Sequence, residues 1–238
     1  MARRRFFVDA IRGGAAELRG EDARHLTRVL RAEPGQQYEI TDSQNAWLAE
    51  IAEARGDRVV FRVIEPAPSP EMPVRVTLAP ALIKFDRLEW MIEKITELGA
   101  ERILPFEAAR SEKGLAAAAQ KRATRWQRIA KESSQQSRRL RAPEIVPRVN
   151  FESVLAEPAD YRYLLDEAGT TPLARTLPAG RARSAAVGLL TGPEGGWTEH
   201  ERELAVTAGW QPVSLGPQIL RAETAAMAAV AILVGSWI

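Results

Sequence analysis

The 238-residue sequence contains no cysteine and only two histidines, His25 and His200. The lack of cysteine excludes disulfide bonds, thiolate metal ligands and cysteine nucleophiles. With no thiolate and so few histidines, we expect no metal site. A chain without disulfides or a structural metal fits the reducing cytoplasm, so we predict a cytoplasmic protein.

Long apolar segments are also missing from the sequence. None approaches the roughly 18 apolar residues that a membrane span needs. The basic start, residues 1–14, has no continuous apolar region of the kind found in secretory signals. We therefore expect no membrane partner and no secretion.

The net charge of +2 conceals two strongly basic stretches. Ten basic residues lie between Arg110 and Arg141 against two acids, and the first 31 residues hold eight arginines against four acids. Phosphate contacts require such local charge density, and arginine can bind phosphate through two parallel hydrogen bonds. The stretches indicate a polyanionic partner, although each is also typical of a solvated helix face.

A proline-rich segment divides the sequence into two parts. Four prolines in residues 65–73 are typical of a linker. Before it, a short helix and alternating segments separated by turns predict a small antiparallel β-barrel over 1–69. After it, strands alternate with helices, and the apolar run 185–191 is typical of a parallel strand buried on both faces. We therefore predict an α/β domain with a mainly parallel sheet over 74–238.

Two helices of the second part are predicted in detail. Apolar side chains from Phe85 to Leu98 share one face of a helix that Gly99 would end. Thr198 and Glu201 have the spacing of a capping box, which predicts a helix that ends at Gly209.

Three loops, residues 164–169, 191–201 and 214–225, follow predicted strands, where parallel sheets bind ligands. The second loop, TGPEGGWTEHE, matches neither the dinucleotide fingerprint nor the P-loop. Its carboxylate, Glu194, disfavours phosphate and favours a ligand with a cation, an amine or hydroxyls. The alternative is a tight turn that merely precedes a capped helix.

The third loop strengthens the prediction of a binding site. Ile219 and Leu220 are apolar where loops are usually polar, which suits an adenine or a methionine side chain. Arg221 and Glu223 then begin the last helix. A cation is unfavourable at a helix N-terminus, so Arg221 indicates contact with a phosphate or a substrate base.

The segments LLTGPEGGWTEHE and SLGPQILRAETAA closely resemble the signature of the SPOUT methyltransferases, which are trefoil-knotted enzymes that use S-adenosylmethionine. Within them, the chain resembles the 16S ribosomal RNA uracil-N3 methyltransferase family. HLTRVLR (residues 25–31) resembles its PUA-like RNA-binding module. KFDRLEWMIEKITELGA (84–100) and IAKESSQQSRRLRAPEI (129–145) resemble two further motifs of that family.

The resemblance implies a SPOUT trefoil-knot domain after a PUA-like β-barrel, a homodimer with active sites completed across subunits, and S-adenosylmethionine as cofactor. The substrate would be N3 of a uridine in the 16S RNA of the small ribosomal subunit. The cofactor-binding residues implied are Leu165, Leu190, Gly192, Gly195, Gly196, Leu215, Gly216, Ile219, Leu220 and Thr224. The chain departs from the family pattern at Gln135, Gln218 and Ala222.

Methylation at N3 requires the uracil proton to leave, and the resulting charge needs stabilisation. We expect Arg221, with Arg139 of the partner subunit, to stabilise that charge, while Glu194 orients the cofactor amine or a neighbouring arginine. Alternatively, Glu223 or Glu194 takes the proton. The expected RNA contacts are Arg4, His25, Arg28, Arg31, Lys84, Arg110, Arg125 and Arg138.

Two other functions are compatible with the sequence. One is a knotted methyltransferase that acts on transfer RNA or on ribose 2′-hydroxyls. The other is a non-catalytic RNA-binding protein with a decayed knot domain.

Overall fold

The computed structural model describes residues 4–146, 150–169 and 171–237. The chain divides into two compact units. The first comprises Met1–Glu71 with Glu132–Ala142, and the second comprises Met72–Lys131 with Pro143–Ile238.

The first unit is built on a six-stranded sheet. Its strands are β1 (Arg5–Phe7), β2 (Ile11–Arg12), β3 (Ala15–Arg19), β4 (Gln37–Thr41), β5 (Ala46–Arg55) and β6 (Arg58–Pro66). The order is β1-β4-β5-β6-β3-β2, and every pairing is antiparallel except β1 with β4. The sheet is curled and PUA-like. It is a half-barrel and not a closed barrel, since its edge strands β1 and β2 do not pair within the described residues.

A short helix, α1 (Gly20–Arg24), covers this sheet and continues as one π-helical turn, His25–Val29. The core beneath it contains Phe6, Leu26 and Phe61, which are fully buried. The helix expected ahead of the predicted strands is therefore present, although β1, β2 and β3 precede it.

A buried carboxylate ties the segment 132–142 to the rest of the first unit. Glu39 accepts two hydrogen bonds from Arg5, of 3.0 and 2.8 Å, and a further ion pair from Arg138. Thr41 Oγ1 also donates to the carbonyl of Leu140 at 3.1 Å. A lone buried carboxylate would be costly, so the two arginines favour this arrangement.

The second unit contains a six-stranded parallel sheet with helices around it. Its strands are β7 (Val74–Pro80), β8 (Arg102–Ile103), β9 (Glu144–Ile145), β10 (Tyr161–Leu165), β11 (Ala185–Thr191) and β12 (Gln211–Val213). The helices are α2 (Phe85–Glu97), α3 (Leu115–Gln136, of which residues 132–136 belong to the first unit), α4 (Phe151–Leu155), α5 (Leu173–Thr176), α6 (Glu199–Thr207) and α7 (Ala222–Ser236). The strand order is β12-β10-β11-β7-β8-β9, and all pairings are parallel.

The predicted helices are present. On α2, Leu88, Met91 and Ile95 are fully buried, and the left-handed turn at Gly99 follows its end. Thr198 and Glu201 form the predicted capping box at the start of α6. Helix α7, the most apolar, packs against α2. None of the helices in the described ranges is long and apolar enough to cross a membrane.

Leu78 provides a test of the core of the parallel sheet. It is fully buried on β7, and Leu78→Ala should lower the free energy of unfolding by about 2–5 kcal/mol because it leaves a cavity. Urea denaturation followed by tryptophan fluorescence measures this, since five of the six tryptophans belong to the second unit. Glu203→Ala, at an exposed position of α6, is the control and should change stability by less than about 0.5 kcal/mol. Equal midpoints for the two variants would contradict this core.

Candidate active site

The carboxyl ends of β10, β11 and β12 surround a cleft of about 370 Å³ in the second unit. These strands are neighbours, and Leu165 at the end of β10 pairs with Thr191 on one side and Val213 on the other. The three loops that the sequence singled out therefore start side by side. Together they line the cleft, and Arg87 from α2 completes the lining.

The glycine-rich loop, Thr191–Trp197, is held against the end of β10 by Trp197. The indole Nε1 of this side chain donates to the carbonyl of Leu165 at 2.8 Å. Its ring is 3% exposed and stacks on Phe106. A Cβ at Gly192 would lie 2.9 Å from the same ring, so this position has no room for a side chain. Close packing therefore fixes the shape of the loop.

The capping box extends this support to the helix that follows the loop. The Glu201 side chain is buried and accepts from the Thr198 backbone N–H at 2.9 Å and from its hydroxyl at 2.8 Å. It also accepts from the backbone N–H of Ala109 at 2.8 Å. One carboxylate thus caps α6 and joins it to the segment after β8.

Two ion pairs flank the cleft. Arg87 on α2 pairs with Glu194 of the glycine-rich loop. Arg202 on α6 pairs with the buried Asp166 at 2.7 and 3.2 Å. Hydrogen bonding to that carboxylate raises the pKa of Arg202 above its ordinary value, so the guanidinium stays charged. Both pairs link elements that lie far apart in sequence.

Arg221 and Glu167 carry the other charges of the cleft lining. Arg221 is exposed at the N-cap of α7, where its side chain caps nothing. Within the described residues, neither its guanidinium nor the Glu167 carboxylate has a hydrogen-bond or ion-pair partner. These two groups are therefore available to a ligand.

The second and third loops present polar and apolar groups to the same cleft. Ile219 is 84% exposed and Leu220 37% exposed, although both are large aliphatic residues. Gly216 is left-handed, with φ of 128°. At the end of β11, the Thr191 hydroxyl is buried and has no partner among the described residues. A ligand with an apolar part and hydrogen-bonding groups fits this combination.

The structure brings together most of the predicted cofactor and catalytic residues. Leu165, Gly192, Gly196, Leu215, Gly216, Ile219 and Leu220 line the cleft, as do Glu194 and Arg221. Leu190 is fully buried in the core behind it, and Thr224 is exposed on α7 outside the lining. Gly195 lies in the glycine-rich loop against Arg110. Arg139 belongs to the first unit.

Several predicted RNA contacts have protein partners instead of being free. Arg125 binds the Glu89 carboxylate at 2.7 Å, and Arg122 binds the same carboxylate at 3.0 Å. Arg138 binds Glu39, and Arg110 donates to backbone carbonyls of the glycine-rich loop. These contacts show that part of the basic stretch stabilises the fold.

The other predicted RNA contacts lie mainly on the first unit. Arg4 Nη1 donates to His25 Nε2 at 3.2 Å. Arg28 and Arg31 are exposed at the end of the π-helical turn and just after it. Lys84 belongs to the second unit and is exposed at the N-cap of α2.

The sequence interpretation placed Asp166, Glu167, Thr191 and Trp197 within the first two candidate loops but gave them no individual roles. It missed Arg87, because this residue lies in an amphipathic helix more than 100 positions from its partner Glu194.

The fold and the cleft together define an RNA methyltransferase with an appended PUA domain. Residues 70–234 match the family model of the RNA methyltransferase domain, and residues 18–64 match that of the RNA methyltransferase PUA domain. The chain belongs to the ribosomal RNA small subunit methyltransferase E family.

Several similar proteins align with this chain over nearly their whole length. The ribosomal RNA small subunit methyltransferase E of Bacillus subtilis is 33% identical, with 95% of this chain and 94% of the relative covered. The crystal structure of the Neisseria gonorrhoeae enzyme bound to S-adenosylmethionine has a TM-score of 0.87 at 29% identity, covering 99% of this chain and 98% of that one. A putative methyltransferase from Legionella pneumophila, also in complex with the bound cofactor, has a TM-score of 0.88 at 28% identity, covering 99% and 98%.

These similarities confirm the predicted fold class, a PUA-like module followed by a SPOUT trefoil-knot α/β domain. Two details differ from the sequence expectation. The second sheet is parallel throughout its described strands, and the first is a half-barrel that does not close.

Trp197→Phe tests how the glycine-rich loop is held. Phenylalanine keeps an aromatic ring beside Phe106 but removes the donor to Leu165, so the carbonyl loses this buried hydrogen bond. We expect a loss of about 1–3 kcal/mol in the free energy of unfolding and weaker S-adenosylmethionine binding. Urea denaturation and titration calorimetry measure the two effects. Trp90→Phe, at a half-exposed position on α2, is the matched control. Wild-type behaviour of Trp197→Phe in both assays would show that this hydrogen bond does not hold the loop.

Proposed function

We propose that this protein transfers the methyl group of S-adenosylmethionine to N3 of a uridine in 16S ribosomal RNA, which yields 3-methyluridine. The observation that carries the proposal is the cleft at the ends of β10, β11 and β12, which has an unpaired arginine, Arg221, in its lining. Membership of the family and the cofactor-bound relatives support it.

The residues of the cleft fit S-adenosylmethionine. Ile219 and Leu220 offer apolar surface for an adenine or for the methionine chain, and the unpartnered Thr191 hydroxyl offers a hydrogen bond. The unpaired Glu167 carboxylate suits the amine or the ribose hydroxyls of such a ligand. Gly192 and Gly196 allow the backbone to approach closely. We assign the remaining cofactor contacts to the residues that the resemblance implied, including Leu190, Gly195 and Thr224.

The cofactor supplies an electrophilic methyl group when it is bound. The protein must deal with the proton on uracil N3, because the neutral nitrogen is a poor nucleophile. Arg221 is placed to stabilise the negative charge that develops on the uracil oxygens, since its guanidinium is exposed beside the cleft and unpaired. We propose that Arg139 of the partner subunit adds a second positive charge.

Glu194 acts in this proposal as a positioning group. Its ion pair with Arg87 fixes the side chain at the edge of the cleft and holds the glycine-rich loop toward α2. This contact supports the proposal that Glu194 orients a neighbouring arginine. Glu223 is the alternative proton acceptor. Its side chain is buried, and one of its oxygens has no partner among the described residues.

The two parts of the chain have separate roles in this proposal. Residues 1–69 bind ribosomal RNA, with Arg28 and Arg31 as exposed contacts, and residues 74–238 bind the cofactor and carry out the transfer. A homodimer brings Arg139 of the partner subunit to each cleft. Since the substrate is ribosomal RNA, we place the protein in the cytoplasm. The target uridine must leave its stack to reach the cleft.

A methyl-transfer assay tests the proposed function directly. Purified protein, tritiated S-adenosylmethionine and small subunits from a strain that lacks the modification should yield labelled 3-methyluridine on nucleoside analysis. Label in a ribose 2′-O-methyl nucleoside, or transfer to transfer RNA only, would replace the proposed acceptor. RNA binding without label, together with no thermal stabilisation by S-adenosylmethionine, would indicate a non-catalytic RNA-binding protein.

Arg221→Ala tests the electrostatic role of this arginine. We expect turnover to be abolished while cofactor affinity stays within about tenfold, or ~1.4 kcal/mol, of the wild type. Any residual rate of methyl transfer should rise with pH. Without Arg221, the reaction depends on the fraction of uracil that hydroxide in solution ionises, and this fraction grows with pH. Single-turnover kinetics and calorimetry give the two quantities. Arg175→Ala, which removes an exposed arginine of α5, is the matched control. Turnover near the wild-type rate in Arg221→Ala would remove this residue from the mechanism.

A further inference from the structure

The Arg110 guanidinium makes hydrogen bonds to backbone carbonyls within the protein, whereas a typical phosphate contact is free to bind RNA. Arg110 lies in the segment between β8 and α3, at the start of the basic stretch. Its Nη1 donates to the carbonyl of Gly195 at 3.1 Å and to that of Trp197 at 3.2 Å. Both carbonyls belong to the glycine-rich loop that lines the cleft.

The segment that carries Arg110 is itself fixed. Ser111 closes a tight turn, since its N–H donates to the carbonyl of Ala108 at 3.0 Å and its hydroxyl accepts from the N–H of Ala108 at 3.2 Å. The adjacent N–H of Ala109 binds the Glu201 carboxylate at 2.8 Å. Consecutive residues of one turn thus hold both the loop and the helix that follows it.

Gly195 packs directly on this arginine. A Cβ at Gly195 would lie 3.1 Å from the Cβ of Arg110 and 3.4 Å from its carbonyl oxygen. The first of these contacts is tighter than ordinary van der Waals packing, and the second is at its lower limit. The glycine therefore allows the loop to approach the Arg110 turn closely.

We propose that Arg110 is a positioning residue of the methyl-donor site, which holds the glycine-rich loop in the shape that receives S-adenosylmethionine. This inference rests on the proposed function. The loop presents Gly192, Glu194 and Gly196 to the cleft, so its conformation sets the geometry of the site. Preorganising a binding loop raises affinity because less ordering is left to occur on binding.

Arg110→Gln separates this role from a phosphate contact. We expect the KM for S-adenosylmethionine to rise about fivefold, as for the loss of two modest hydrogen bonds, with kcat at saturating cofactor unchanged. Affinity for a small-subunit ribosomal RNA fragment, and its dependence on salt, should stay as in the wild type. The melting temperature without cofactor should fall by no more than about 2–4 °C, as for two modest hydrogen bonds, which excludes a general loss of fold. Arg110→Lys should restore part of the cofactor affinity.

A further variant serves as the matched control. Lys113→Gln removes a nearby exposed charge and should leave the KM for S-adenosylmethionine unchanged.

The opposite result would identify a phosphate contact. In that case Arg110→Gln would bind S-adenosylmethionine like the wild type. The slope of log RNA affinity against log salt concentration would become shallower by about one, because one fewer counterion is released. That outcome would overturn the inference and leave the proposed function intact. Failure of the wild-type protein to bind S-adenosylmethionine would instead overturn the proposed function and the inference that rests on it.

Discussion

Parallel pairing of β10 with β11 on one side and β12 on the other is the constraint on which the site depends. The register places Leu165, Thr191 and Val213 level with one another at the ends of the three strands. Every loop that lines the cleft starts from this line. A shift in either of the two ladders would move one wall of the cleft relative to the others, because strand ends and loops move together.

Arginine serves two purposes in this chain, and the structure separates them. Some arginines hold the fold: Arg138 neutralises a buried carboxylate of the half-barrel, Arg202 pairs with Asp166, and Arg110 binds carbonyls of the glycine-rich loop. Others, such as Arg221, have no partner among the described residues and face the cleft. A count of charges along the sequence cannot distinguish these cases, because both produce the same local density of positive charge.

Local signals in the sequence were sufficient for several elements. The apolar face of α2, the capping box of α6 and the apolar strand β11 were all predicted, since each depends on spacing within one segment. Strand β9, by contrast, has only two residues and lacks any periodic pattern. The pairing of β1 with β4, and the place of residues 132–142 in the first unit, depend on Glu39 meeting Arg5 and Arg138. Contacts between such distant residues leave no local pattern.

The sequence by itself determined the two-part organisation of elements, the three loops at strand ends and the family to which they belong. These follow from hydrophobic periodicity, turn residues and local motifs, which act within a few residues of one another. Only the tertiary structure decided that the three loops share one cleft, that Arg87 reaches Glu194 and that Arg110 supports the glycine-rich loop. The physical reason is that strand order and side-chain contacts are fixed by the packing of segments far apart in sequence.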